Sequence, residues 1–195
     1  MTRRRSFDRD YYARFYEDDP VHTRTKVAQL AQGVHSFAQW WDLDITSVLD
    51  IGAGPGYWRD WYAQHHPGVE YCSTDVSPHA CETYGHEQRD ITTWRPRRRY
   101  DLVVCHGVLH YLGPAGASAA IENISAASRG LLYLEAPTSH DLDTIVDTES
   151  TDMNVTRRSA AWYRTRLGAH FTQIGAGMWV RNTAGLPLYD LERSR

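Results

Sequence analysis

Val48-Leu49-Asp50-Ile51-Gly52-Ala53-Gly54-Pro55-Gly56-Tyr57 carries the fold of this 195-residue chain. An apolar run ends in an acidic residue, and glycines follow at alternate positions before an aromatic-rich stretch. That pattern predicts a buried strand turning sharply into a helix. Gly52, Gly54 and Gly56 lack the Cβ atoms that would hold a ligand off the backbone, and they permit positive φ where the turn needs it. The loop is therefore shaped for close contact.

Working outward, the same strand-then-helix pattern repeats. Residues 69–74 read as a second strand ending at Asp75, with Pro78 opening a short helix to about Tyr84. Residues 86–89 can form a short third strand ending at Asp90. Tyr100-Asp101-Leu102-Val103-Val104-Cys105 is the continuous run expected of a parallel strand buried on both faces, and it delivers His106. An alanine-rich stretch, 116–128, reads as a helix, and residues 130–134 as a fifth strand ending at Glu135. Upstream, Val27, Leu30, Ala31, Val34, Phe37, Ala38 and Trp41 recur at helical spacing, and a helix over 7–16 would put Tyr12, Phe15 and Tyr16 on one face. Downstream, residues 137–155 hold Asp141, Asp143, Asp147, Glu149 and Asp152 with no lysine or arginine, an acidic loop or loose helix. Residues 159–167 read as a helix with Gly168 as its cap. Strands over 171–180 and 186–191 would flank Asn182-Thr183-Ala184-Gly185 as an antiparallel hairpin. The alternation implies an α/β fold with a doubly wound, mostly parallel sheet and right-handed crossovers. One domain over 1–195 accommodates it, a helical extension (1–41) preceding the core (42–195).

A formal net charge of -3 supplies no global attraction to nucleic acid or anionic lipid. Cys72, Cys81 and Cys105 lack zinc spacing and fit free thiols in a reducing cytoplasm. Arg3, Arg4 and Arg5 are followed by charged and aromatic residues rather than an apolar segment, so they read as a disordered tail. No stretch reads as a membrane span.

In an open α/β sheet, ligands bind beyond the carboxyl ends of the strands where strand order reverses. The residues to read are thus Asp50, Asp75, Asp90, His106 and Glu135. An acid about 23 positions beyond Gly52 is placed to accept hydrogen bonds from ribose hydroxyls. The dinucleotide pattern GxGxxG is not met, because Tyr57 stands where its third glycine belongs. Gly52-x-Gly54-x-Gly56 behind an acidic strand end instead resembles motif I of the class I S-adenosylmethionine-dependent methyltransferases. Asp75 in Thr74-Asp75-Val76-Ser77-Pro78 matches that family's ribose-binding acid, and Asp90-Ile91 its adenine-contacting pair. Tyr100 to Val104 followed by His106-Gly107-Val108-Leu109-His110-Tyr111-Leu112 is similar to its motif IV region. The resemblance implies a seven-stranded sheet of order 3-2-1-4-5-7-6 with strand 7 antiparallel. It implies S-adenosyl-L-methionine as cofactor and S-adenosyl-L-homocysteine as product, held by Asp50, Gly52, Ala53, Gly54, Gly56, Asp75, Val76, Asp90, Ile91 and His106.

Methyl transfer needs a base only when the acceptor must lose a proton. His110, His106 and Tyr111, just beyond the fourth strand, are the candidates. His106 can equally serve as a wall of the cofactor pocket. Metal ligation by His106 and His110 lacks a third ligand at recognisable spacing. Glu135 can contact substrate or pair with an arginine such as Arg157. Tyr11, Tyr12 and Tyr16 are the candidate lid, with core packing as the alternative. Neither Asn-Pro-Pro-Tyr nor a Pro-Cys nucleophile is present, and the Arg95, Arg97, Arg98, Arg99 cluster falls at the opposite ends of the strands. A small-molecule acceptor is expected, neutral or cationic because the acidic segment after Glu135 should face the pocket. The competing readings are a binding subunit that retains the cofactor without transferring a group, and methylation of RNA or protein. A third, an NAD-dependent oxidoreductase, conflicts with Tyr57.

Overall fold

The computed structural model describes residues 7–18 and 20–194, so the arginine run at the start lies outside it. Seven strands form one sheet: β1 (Ser47–Ile51), β2 (Glu70–Asp75), β3 (Glu87–Gln88), β4 (Tyr100–His106), β5 (Ser128–Glu135), β6 (Phe171–Gly175) and β7 (Met178–Arg181). Their order is β3-β2-β1-β4-β5-β7-β6. The first five are parallel, whereas β7 runs antiparallel to both β5 and β6. This is the expected topology. The order reverses at β1, which pairs with β2 on one side and β4 on the other, opening a crevice at their carboxyl ends.

The period-2 alternation of strand side chains divides the core into two layers. Leu49, Val103, Cys105 and Leu132 face one way, against Ala120, Ile121 and Ile124 of α5 (Pro114–Ala127) and Leu167 of α7 (Ala160–Gly168). Val48, Leu102, Val104 and Leu131 face the other, against Val27, Ala31 and Val34 of α2 (Arg24–Trp40) and Trp58, Trp61 and Tyr62 of α3 (Tyr57–His65). Helix starts follow capping chemistry. Thr23 accepts from Lys26 N–H to start α2, and Ser77 accepts from Ala80 N–H to start α4 (Pro78–Tyr84), with Pro78 in its first turn.

Opposite the crevice, Asp101 ties the amino end of β4 to that of β1. Its Oδ2 accepts from the amides of Thr46 and Ser47, both at 3.0 Å, and from their hydroxyls at 2.8 and 2.9 Å. Arg129 at the start of β5 closes the cluster with Nε 2.5 Å and Nη2 3.0 Å from the carboxylate. Arg98, from the arginine cluster, pairs with Glu70 at the start of β2, at the end of the sheet away from the crevice.

Two expectations need correction, and one left open between loop and helix is decided. The hairpin turns at Ala176-Gly177 rather than at residues 182–185, which follow β7. Ala176 and Gly177 have φ of +47° and +77°, the left-handed pair of the favoured two-residue turn. Residues 186–191 accordingly form no strand. Gly168 is the last residue of α7, and Ala169 caps it. The acidic stretch after Glu135 contains a true helix, α6 (Ser139–Thr144), started by a Thr138–Asp141 capping box.

Candidate functional site

β1 ends at the glycine loop, and the loop runs into α3. Gly52, Gly54 and Gly56 have φ of +68°, +56° and +80°, a region that side-chain-bearing residues rarely occupy. A Cβ on Gly52 would stand 2.3 Å from Val108 Cγ2, whereas one on Gly54 would meet the Tyr16 hydroxyl at 3.5 Å. Asp75 fixes the loop from the neighbouring strand: its Oδ2 accepts from Gly54 N–H at 3.0 Å and its Oδ1 from Ser77 N–H at 2.8 Å. His86 adds a second tie, its Nε2 lying 2.9 Å from the Gly54 carbonyl.

Between this loop and the ends of β4 and β5 lies a cavity of about 360 Å³. Asp50, Gly52, Ala53 and Gly54 form its floor, with His106, His110, Tyr111 and Glu135 on one side and Tyr11, Phe15 and Tyr16 on another. Asp141 and Asp152 from the acidic segment also line it, as that segment's position after β5 predicted. Asp50, Glu135, Asp141 and Asp152 place four carboxylates on the lining, and no lysine or arginine is among the described lining residues.

Six of the sequence candidates, Tyr12, Gly56, Asp75, Val76, Asp90 and Ile91, are not on the cavity lining. Asp75 is 6% exposed and does not line the cavity; neither does Val76. Over them lies the N-terminal segment: Phe7 gives its carbonyl to the Ser77 hydroxyl, and Tyr12 of α1 (Arg9–Tyr12) packs on Tyr84 and His79. Asp90 accepts from the amide and hydroxyl of Thr92, and Ile91 is core. Tyr12 is buried, whereas Tyr11 and Tyr16 line the cavity; Tyr12 still stacks on Tyr16 at 5.3 Å across the change to π-helical spacing over Ala13–Asp18.

Two titratable groups on the lining are displaced from ordinary values. Burial pushes Asp50 up to about 7, although its hydrogen bond from Tyr71, at 2.9 Å, acts the other way. Burial also raises Glu135, but contacts from His106 and His22 outweigh it and hold this carboxyl well below the usual range. Glu135 does not meet Arg157, which pairs with Asp143. Its Oε1 is 3.0 Å from His22 Nε2, its Oε2 accepts from Tyr133 at 3.2 Å, and His106 Nε2 stands 3.4 Å from Oε2.

His22, His106 and Glu135 bring their ligand atoms within 4.8 Å of one another, a spacing open to a metal ion. The tautomer of His106 opposes that use. Trp58 Nε1–H donates to His106 Nδ1 at 3.1 Å, and indole can only donate, so the neutral ring carries its proton on Nε2 and has no lone pair there for a metal.

Sequence reasoning missed His22, Trp58 and Arg158. Arg158, 5% exposed, donates to the carbonyls of Leu109 and Leu112 and braces the helical turn Leu109–Tyr111 that presents His110. A buried arginine leaves no signal in local periodicity. His22 was legible only as the residue before a Thr23 cap.

Residues 49–129 match the family model described as a methyltransferase domain. Trans-aconitate 2-methyltransferase of Mycobacterium tuberculosis is 31% identical over 70 residues, covering 33% of this chain and 27% of that protein. The chain thus aligns with little more than a quarter of that curated relative. Among solved structures, magnesium protoporphyrin IX methyltransferase from Synechocystis with bound adenosylhomocysteine superposes with a TM-score of 0.58 at 22% identity, over 89% of this chain and 93% of that one. The N-methyltransferase NodS from Bradyrhizobium japonicum, in complex with adenosylhomocysteine, gives 0.59 at 18% identity over 89% and 97%. The fold is that of the class I methyltransferases.

Proposed function

We propose that this chain, acting as one domain, is an S-adenosylmethionine-dependent methyltransferase whose acceptor is a neutral or cationic small molecule. The observation that carries this reading is the cavity above the glycine loop, with four carboxylates and no lysine or arginine among its described lining residues. The donor set suits the group. A sulfonium and an ammonium are both positive, so carboxylates on the cavity lining attract them, whereas a pyrophosphate would be repelled. Glycines at φ +68° and +56° let such a ligand lie against backbone. When bound, the cofactor supplies an already activated methyl group. Residues of the chain then orient it and the acceptor and exclude water.

Asp50 and Ala53 on the cavity floor would meet the methionine end, and Asp75 the ribose once the segment over it moves. Tyr11, Phe15, Tyr16 and Tyr111 would enclose the acceptor. The same charge distribution separates the proposal from the relative's printed activity, since a polycarboxylate such as trans-aconitate would face Glu135, Asp141 and Asp152 with no opposing arginine among the described lining residues. Free Cys72, Cys81 and Cys105 support a cytoplasmic setting; no helix of the described residues is long and apolar enough to cross a membrane.

Calorimetry with adenosylmethionine and adenosylhomocysteine tests the cofactor, and transfer of labelled methyl groups to amines, phenols, alcohols, carboxylic acids and RNA tests the acceptor. No heat from either nucleoside would remove the reading. Binding with no transfer to any acceptor would leave a cofactor-binding subunit instead, and transfer to RNA alone would replace the small-molecule class.

A further inference from the structure

We propose that His22 is the general base of the transfer, positioned by Glu135, and that the acceptor therefore reacts through an oxygen or nitrogen that must shed a proton: a hydroxyl, a phenol or a protonated amine. This rests on the methyl-transfer reading above. His22 lines the cavity and comes from the segment before α2, far in sequence from the strand ends. Its Nε2 stands 3.0 Å from Glu135 Oε1. A carboxylate can only accept, so neutral His22 keeps its proton on Nε2 and turns a lone pair to Nδ1. Glu135 is itself held as an anion by Tyr133 and by the two histidines. This is the orienting relationship of a carboxylate to a catalytic imidazole, in which the acid selects the tautomer and offsets the charge that appears on proton uptake.

His106, the other histidine beside Glu135, is arranged differently. His106 spends its Nδ1 lone pair on Trp58, so its other nitrogen is a donor. His110 is 6% exposed on its braced turn, and the Tyr111 hydroxyl lies 2.9 Å from that of Tyr11. The side chain of His22 is 41% exposed, which gives it a route to return its proton to solvent after each turnover.

The step balances. His22 Nδ1 takes the O–H or N–H proton, and the electron pair so freed, or left on the nitrogen, forms the bond to the methyl carbon. The carbon–sulfur bond breaks with its pair going to sulfur, which becomes a neutral thioether. Imidazolium remains, facing the Glu135 carboxylate.

Nitrogen-15 NMR of the full chain with adenosylhomocysteine reads the tautomer without any acceptor. The expected result is a protonated Nε2 and a bare Nδ1 on His22, passing to a tautomer mixture in Glu135→Ala. A protonated Nδ1 in the wild type overturns the proposal. With the acceptor that the methyl-transfer panel returns, His22→Ala should lower the single-turnover rate of transfer by about 100-fold or more. KM for adenosylmethionine and affinity for adenosylhomocysteine should stay within threefold, and added imidazole should restore at least tenfold. A single-turnover rate within threefold of wild type overturns the assignment. Transfer to no acceptor at all sinks the methyl-transfer reading, and the base role with it, even where the tautomer is as expected.

Discussion

Trp58 Nε1 donates a 3.1 Å hydrogen bond to His106 Nδ1, and this one contact sets which nitrogen of the imidazole faces Glu135. Trp58 is 4% exposed and packs on Tyr133, so the pair is held from both sides. Trp58→Phe keeps an aromatic ring while deleting the donor. It should lower unfolding free energy by about 1–3 kcal/mol, the cost of an unsatisfied buried group. The same variant should show His106 as a mixture of tautomers by nitrogen-15 NMR; a single Nε2–H form would contradict the role given to the indole.

Asp50 makes stability and ligand binding depend on pH in opposite ways. Its value in the folded protein, about 7, exceeds that of an ordinary carboxyl, so between roughly pH 4 and 7 the folded state holds a proton that the unfolded state lacks. Stability should fall as pH rises through that window and level off above it, by roughly 4 kcal/mol at most for a shift of this size. A bound cation beside Asp50 would draw the proton off. Adenosylmethionine should thus bind with proton release near pH 6, seen as a buffer-dependent heat, and Asp50→Asn should abolish that dependence.

Gly52→Ala meets two separate obstacles. The φ of +68° costs a side-chain-bearing residue about 1–2 kcal/mol. The new methyl would also stand 2.3 Å from Val108 Cγ2. Adding Val108→Ala removes only the second, so the double variant should recover part of the lost stability and keep the backbone penalty. Full recovery in denaturant unfolding would show that the loop relaxes to another conformation.

Asp75→Ala should weaken adenosylhomocysteine binding by about 1.5–3 kcal/mol, the range for hydrogen bonds to a charged group. Because Asp75 also takes the amides of Gly54 and Ser77, its loss should lower thermal stability as well. Unchanged affinity by calorimetry would move the ribose site elsewhere.

Asp101→Asn should destabilise the fold by about 1.5–3 kcal/mol while leaving the distant cavity intact, since the buried carboxylate accepts from Thr46 and Ser47 as well as from the half-exposed Arg129. Burial raises this carboxyl, but the bonds from Arg129, Thr46 and Ser47 prevail and leave it at about 2. Its contribution is accordingly present above the ordinary carboxyl range and lost as pH falls toward 2. Acid unfolding of the variant, compared with wild type, checks both statements.

The strand ends were legible because parallel strands buried on both faces produce unbroken apolar runs, and the first polar residue after each run marks the crevice. Asp50, His106 and Glu135 were found that way, and all three line the cavity. The same logic misplaced the last hairpin, where apolar residues continue straight through Ala176-Gly177 and conceal a turn made by backbone conformation alone. Asp90 carries a second role that its position does not announce: an acid at a strand end can cap its own loop, as this one does for Thr92. The roles of His22 and Trp58 were not legible. They arise from contacts between segments far apart in sequence, and no local period encodes those.

The segment over Asp75 consists of the four residues of α1 and the π-helical turn after it, docked by Tyr12 on Tyr84 and His79 and by the Phe7 carbonyl on Ser77. A helix this short has no stability of its own in water. Its docking free energy is therefore a small fraction of that holding the sheet, and its amides should exchange with solvent long before those of β1 and β4. If nucleoside must pass beneath it in both directions, the slowest event of a catalytic cycle would be the undocking of a dozen residues rather than the making of a bond. Turnover would then scale with solvent viscosity and stay insensitive to deuteration of the transferred methyl group.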